Sequence, residues 1–306
     1  MELSILIEQF LEYLEVEKNS SPLTIRNYRH YLTRFATWLG KQKGSNLSDV
    51  TLENVRQFRV YLSRLETNGN LLSRKTQSYH IIALRAFLKW LRKNDHEVLA
   101  PEKLDLPKAE SRSPSFLNGE QVGRLLNAPT LSTPRGKRDK ALLELLFSTG
   151  LRVSELVSID RDKLDLGSRE FGIIGKGRRP RVVFVSRRAA DWITEYLNSR
   201  NDNYRPLFIR FGGKKDVAIQ DDKMRLTPRS VQRLIKKYAR KVKLSVDVTP
   251  HIMRHSFATD LLMAGADIRS VQEMLGHKNI QTTQIYTHIT NRRLKEVHDA
   301  FHGGNK

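Results

Sequence analysis

Over the first hundred residues apolar positions recur with a helical period. Leu3, Leu6, Ile7, Phe10, Leu11 and Leu14 form one stripe at i, i+3, i+4 spacing. Ser21-Pro22 predicts a second helix start, because proline in a first turn gives up an N–H that has no partner there anyway. Its inner face is Ile25, Tyr28, Leu32, Phe35 and Leu39, with Arg26, Arg29 and Arg34 directed elsewhere. A third helix is expected over 51–64, with Val55, Phe58 and Leu62 inward. A fourth is expected over 74–92, with Ile81, Leu84, Phe87, Leu88 and Leu91 inward. Helices that each carry one apolar stripe must bury them together, so residues 1–105 predict a compact helical bundle.

Residues 106–117 break the pattern. They are polar, hold Pro107 and Pro114, and have no apolar period, which predicts an extended linker and a domain boundary. Beyond it, helices are expected over 118–126 and 137–149, the latter strongly apolar through Ala141, Leu142, Leu145 and Leu146 and stopped by Gly150. Strand-like runs at 171–174 and 181–185 flank Gly175-Lys176-Gly177-Arg178-Arg179-Pro180, a hairpin turn. Helical spacing returns over 189–197, 228–242, 250–264, 268–275 and 282–288. A last segment, 291–301, carries Leu294, Val297 and Phe301 on one side. No internal repeat or low-complexity tract interrupts the chain. The expected fold is mainly α with a small antiparallel β-sheet: an N-terminal helical bundle followed by a mixed α+β domain over 118–306.

Composition changes this picture through charge. Lys and Arg total 54 against 33 Asp and Glu among 306 residues, a net +21. Such an excess repels itself unless the partner is a polyanion, and nucleic acid is the obvious one. Residues 1–105 carry 16 basic and 12 acidic side chains, the remainder 38 and 21. The second domain is therefore expected to make most of the strong phosphate contacts. The absence of cysteine excludes disulfides and thiolate metal sites and suits a cytoplasmic protein. No apolar run is long enough for a bilayer, and the first residues lack a signal peptide's basic start and apolar core.

Attack on a DNA phosphodiester needs fixed cations at the phosphate oxygens, an acid for the departing sugar oxygen and a base for the nucleophile. To conserve the energy of the broken bond, the nucleophile must be a side chain. The second domain holds such groups. Gly150-Leu151-Arg152-Val153-Ser154-Glu155-Leu156 puts an arginine where a buried helix meets a turn, although alone it reads as a surface arginine paired with Glu155. In Thr249-Pro250-His251-Ile252-Met253-Arg254-His255, Thr249 can cap a helix that Pro250 starts, and His251 and Arg254 then share a face. His251 and His255 stand four apart, but Ile252 occupies the place where a metalloprotease helix has glutamate. His255 therefore reads as a satisfied, partly buried histidine. His277 follows a helix stop, and Tyr286 is one of nine tyrosines, selected only by context. Lys176, between two glycines, reads as a solvated turn lysine or as a mobile proton donor. Asp221-Asp222, the only adjacent acidic pair, reads as a solvated loop rather than a metal site.

Taken together, these segments resemble the tyrosine recombinase, or phage integrase, family over almost the whole chain. The most specific block runs from His251 to Thr259, continues through Gly265-Ala266-Asp267-Ile268 to Leu275-Gly276-His277, and ends in Thr282-Thr283-Gln284-Ile285-Tyr286-Thr287-His288. Gly150–Leu156 and Gly175-Lys176-Gly177 stand in the expected order before it, and Thr24, Tyr28 and Phe35 suit the family's core-DNA-binding domain. Phe184 stands where many relatives have proline, and Met253 where leucine is common.

The resemblance implies a site-specific recombinase of the simple two-domain, Xer-like type, with the catalytic domain at 118–306. Arg152 and Arg254 would clamp the non-bridging oxygens, Lys176 would protonate the leaving 5′ oxygen, and His251 would serve Tyr286 as base and later as acid. His277 would hydrogen-bond the phosphate, and Glu155 would order the site. Tyr286 would form a 3′-phosphotyrosyl bond, and two rounds of exchange would pass through a Holliday junction without metal, ATP or any other cofactor. The implied partner is double-stranded DNA bearing a specific site, gripped by both domains. The implied assembly is a homotetramer on two sites, or one shared with a paralogous recombinase, with residues 290–306 exchanged between protomers. No membrane partner is implied. A type IB topoisomerase and a catalytically silent DNA-binding regulator are the alternative activities for such a chain.

Overall fold

A computed structural model describes residues 2–42, 44, 46–67, 69–106, 115–175, 180–212 and 221–276. The chain divides into two compact units, residues 1–111 and 112–306.

The first unit is built from α1 (Leu3–Val16), α2 (Pro22–Gln42), α3 (Leu52–Arg64) and α4 (Arg74–Lys93). The stripes read from spacing are the buried faces: Leu3, Leu6, Phe10, Leu32, Phe35, Val55, Phe58, Leu84, Phe87 and Leu91 share one core. Helix starts coincide with side-chain caps, Thr51 accepting the Asn54 N–H and Ser73 the Thr76 N–H. A two-stranded ribbon, β1 (Glu66–Thr67) and β2 (Asn70–Leu71), joins α3 to α4. It was not expected from the apolar pattern, because strands this short have no period; Asn68-Gly69 was the available turn signal.

The second unit contains α5 (Gly119–Leu126), α6 (Pro134–Thr149), α7 (Val153–Ser158), the hairpin β3 (Glu170–Ile174) and β4 (Pro180–Phe184), α8 (Arg187–Asn198), α9 (Asp221–Met224), α10 (Pro228–Lys241), α11 (Pro250–Met263) and α12 (Ile268–Leu275). The hairpin is antiparallel, with Phe171 opposite Val183 and Ile173 opposite Arg181. Phe171 and Val183 face the core; Ile174, Val182 and Phe184 face outward. The fold is thus mainly helical with two small antiparallel sheets, one more than the pattern predicted.

Helix α6 begins three residues earlier than its apolar period, at Pro134, because Thr133 caps it by accepting the Gly136 N–H. It is buried on all sides, and its charges are buried with it. Arg138 and Lys140 are paired with Asp139 and Glu144, and the Tyr238 hydroxyl donates to Asp139 at 2.8 Å. Asp221 and Asp222 open a helical turn, not a loop, and Asp222 pairs with Arg225 at 3.0 Å. Among the described residues, no helix is long and apolar enough to cross a membrane, and no group of three or more His, Cys, Asp or Glu could hold a metal ion.

Candidate active site

Gly150 ends α6 in the left-handed region, at φ 58°. The chain then turns through Leu151 into α7, so that Arg152 becomes the N-cap of that short helix. Its backbone N–H donates to Glu155 Oε2 at 2.8 Å and its Nη1 to Glu155 Oε1 at 2.9 Å. Arg152 is thus paired with Glu155, and its side chain keeps 32% exposure. Its Nη2 donates to the Gly276 carbonyl at 3.3 Å.

Glu155 is 7% exposed and takes a second arginine, Arg181 of β4, at 3.1 Å and 2.8 Å. Burial alone would push its carboxyl up. The Arg181 and Arg152 hydrogen bonds and charges outweigh burial and hold it below the ordinary carboxylate range.

Arg254 comes from α11, which Thr249 caps by accepting the Ile252 N–H and Pro250 begins. At 4% exposure it is more deeply set than Arg152. Its Nη1 donates to the Gly150 carbonyl at 2.7 Å and its Nη2 to the Leu275 carbonyl. The two arginines therefore grip consecutive carbonyls at the C-terminal end of α12, where the helix dipole favours cations. Gly276 closes that helix at φ 63°. The sequence gives no sign of these carbonyl anchors, since backbone acceptors have no residue signature. Arg181, one basic residue among many, had none either.

His251 is exposed on α11, and its Nε2 lies 3.0 Å from His255 Nε2. His255 is half-buried and bonded, as a satisfied histidine should be. Burial first, then the His251 and Arg254 charges, push its pKa down to about 4, so it is neutral at pH 7. Arg152, Glu155 and Arg254 are thus brought together around the α12 terminus, with His251 one turn before Arg254 on its helix. Lys176, His277, Tyr286 and the segment 290–306 lie outside the described residues, although Gly175 and Gly276 directly precede Lys176 and His277.

Comparison with known proteins shows the family of the chain. Residues 115–293 match the profile of the Phage integrase family, and residues 7–95 match that of the phage integrase N-terminal SAM-like domain. The chain belongs to the phage integrase family, the tyrosine recombinases. It is 37% identical to tyrosine recombinase XerD of Lacticaseibacillus casei, across 97% of this chain and 98% of that one. It is 38% identical to tyrosine recombinase XerC of Pelotomaculum thermopropionicum, across 97% of each. Among solved structures, the fold resembles Tn1549 transposon integrase in complex with transposon right end DNA (TM-score 0.71, 17% identity, 97% of this chain and 99% of that one).

Proposed function

We propose that this tyrosine recombinase cuts and rejoins double-stranded DNA at a specific site through Tyr286. The phenol oxygen attacks phosphorus and the bond to the 5′ oxygen breaks, leaving a 3′-phosphotyrosyl ester. Lys176 gives the departing 5′ oxygen its proton, and His251 takes the phenol's proton. Arg152 and Arg254 hold the non-bridging oxygens, and His277 hydrogen-bonds the same phosphate. A 5′ hydroxyl from the partner strand then attacks the ester and passes its proton to Lys176, while the phosphotyrosyl bond breaks and His251 returns its proton to the Tyr286 oxygen. Bond energy is conserved at each step, so neither ATP nor metal is needed. Two such rounds pass through a Holliday junction.

The observation that carries this assignment is the pair of arginines held on the Leu275 and Gly276 carbonyls. Two helices deliver fixed guanidinium groups to one place, directly before His277 in the chain. Four protomers, of this chain alone or shared with a paralogue, act on two DNA sites in the cytoplasm, with residues 291–306 docking on a neighbouring protomer. The relatives named XerC and XerD favour a Xer-like role, in resolving chromosome or plasmid dimers or in moving a mobile element.

The test is incubation of the full chain with a pool of nicked random-sequence duplexes in EDTA, followed by denaturing electrophoresis. A denaturant-resistant adduct is expected from the wild type and none from Tyr286→Phe or Arg254→Ala. Salt-sensitive DNA binding without any adduct overturns the assignment.

A further inference from the structure

Arg181 stands one residue inside β4 and points its guanidinium at Glu155. The pairing is fork to fork, Nη1 to Oε1 at 3.1 Å and Nη2 to Oε2 at 2.8 Å. Glu155 uses the same two oxygens to hold the backbone N–H and the Nη1 of Arg152. Arg152 in turn reaches the Gly276 carbonyl. The ring closes because Arg181 also packs on Gly276. A Cβ added there would lie 2.9 Å from Arg181 Nη1, 3.1 Å from its Cδ and 3.2 Å from its Cζ. Arg181, Glu155, Arg152 and Gly276 therefore form one closed circuit across β4, α7 and the end of α12.

Two features set this circuit apart from ordinary structural glue. The trio of two arginines and one carboxylate carries an excess positive charge, although Arg181 is only 12% exposed. Excess charge at a largely buried site is costly unless an anion completes it. The Arg181 Nε is buried without a hydrogen-bond partner among the described residues, a further sign that packing alone did not choose arginine. The circuit's position in the chain also matters. Arg181 follows Lys176 by five residues on the same hairpin, and Gly276 directly precedes His277.

We propose that Arg181 is a positioning residue for strand cleavage, holding through Glu155 and Gly276 the Arg152 guanidinium and the end of α12. This rests on the recombinase chemistry proposed above. Arg181 does not touch the phosphate; it fixes the direction from which Arg152 approaches it. The excess charge of the circuit is completed when a phosphodiester binds.

The experiment compares wild type, Arg181→Met, Arg181→Lys, Arg152→Lys and the Arg181→Met/Arg152→Lys pair on a nicked duplex recovered from the random-sequence pool. Two quantities are read: the Kd, and the single-turnover rate of adduct formation at saturating protein. Misplacing a phosphate ligand slows the step without loosening the complex. Arg181→Met is therefore expected to slow the adduct rate by about 10- to 100-fold while Kd moves by less than about threefold. Arg181→Lys recovers part of the rate. If Arg181 acts through Arg152, adding Arg181→Met to Arg152→Lys slows the reaction little further, whereas a merely structural role makes the losses multiply. Multiplying losses, a wild-type rate in Arg181→Met, or a loss wholly accounted for by Kd overturns the proposal. If Arg181→Met does not fold, Arg181→Lys with and without Arg152→Lys decides by the same criterion. A wild-type protein that forms no adduct overturns the tyrosine chemistry and this role with it; a wild-type adduct with unaffected Arg181 variants overturns this role alone.

Discussion

Replacing Gly150 with alanine perturbs the turn that leads into Arg152 and supplies a carbonyl to Arg254. Gly150 sits at φ 58°, ψ 24°, a conformation in which an L side chain costs about 1–2 kcal/mol. The added Cβ would stand 2.4 Å from Phe257 Cδ1 and 3.0 Å from Leu275 Cδ2. Leu275 is fully buried and Phe257 packs on the same small cluster as Ala258 and Val271, so neither yields freely. Overpacking of this kind adds about 1–3 kcal/mol. The sum, about 2–5 kcal/mol, lowers the Tm of a unit this size by roughly 4–20 °C. The Gly150 carbonyl is also the acceptor for Arg254 Nη1, so the folded remainder of Gly150→Ala should form the DNA adduct more slowly than wild type. Calorimetry of the full chain, with Gly123→Ala as control, checks both signs. Nothing lies within 4 Å of a Cβ at Gly123, inside α5, so that variant should gain about 0.5–1 kcal/mol. A Gly150→Ala protein melting within about 2 °C of wild type would refute the reasoning.

Further outcomes follow from other buried groups. His80, 1% exposed, lies between the Thr76 carbonyl (2.9 Å) and Arg34 Nη1 (3.2 Å), and burial above all pushes its pKa to about 4. Its unfolded value is near 6.5, so it contributes stability above that pH and loses it as pH falls towards 4. The first unit should weaken by about 3 kcal/mol over that window, and an NMR titration placing His80 near 6.5 would contradict this. Asp139→Ala strands the buried Arg138 and the Tyr238 hydroxyl, and should cost about 3–5 kcal/mol in urea unfolding; a loss below about 1 kcal/mol would show that the pair is dispensable. Deleting residues 291–306 should preserve DNA binding and abolish tetramers on DNA in analytical ultracentrifugation; a truncated protein that still assembles four to a complex contradicts the docking role.

Much of the fold was legible because it depends on apolar period. The stripes from Leu3 to Leu91 became the first core, and Phe171 and Val183 took the inward side of the hairpin as alternation required. Hidden from the pattern was polar burial. Arg138, Asp139, Lys140 and Glu144 break the apolar face of α6, yet lie inside because each charge meets another. His80 sits on the buried stripe of α4, one position before Ile81, where a polar residue interrupts the apolar period yet is buried with it. Within the candidate site, Arg152, Glu155, His251 and Arg254 are singled out by the family resemblance, since residue type alone makes Arg152 a surface arginine paired with Glu155. Their anchors could not, since the carbonyls of Gly150, Leu275 and Gly276 are supplied by chain geometry.

The most direct test of Tyr286 chemistry is to identify the residue that carries DNA. Wild-type protein trapped on a nicked duplex in EDTA would be digested with nuclease and trypsin, and the modified peptide sequenced by mass spectrometry. Cleavage after Lys278 and Arg292 releases residues 279–292, which contain a single tyrosine. A nucleotide remnant on that peptide, localised to Tyr286, is the expected result. A remnant on any other residue would contradict the assignment of the nucleophile.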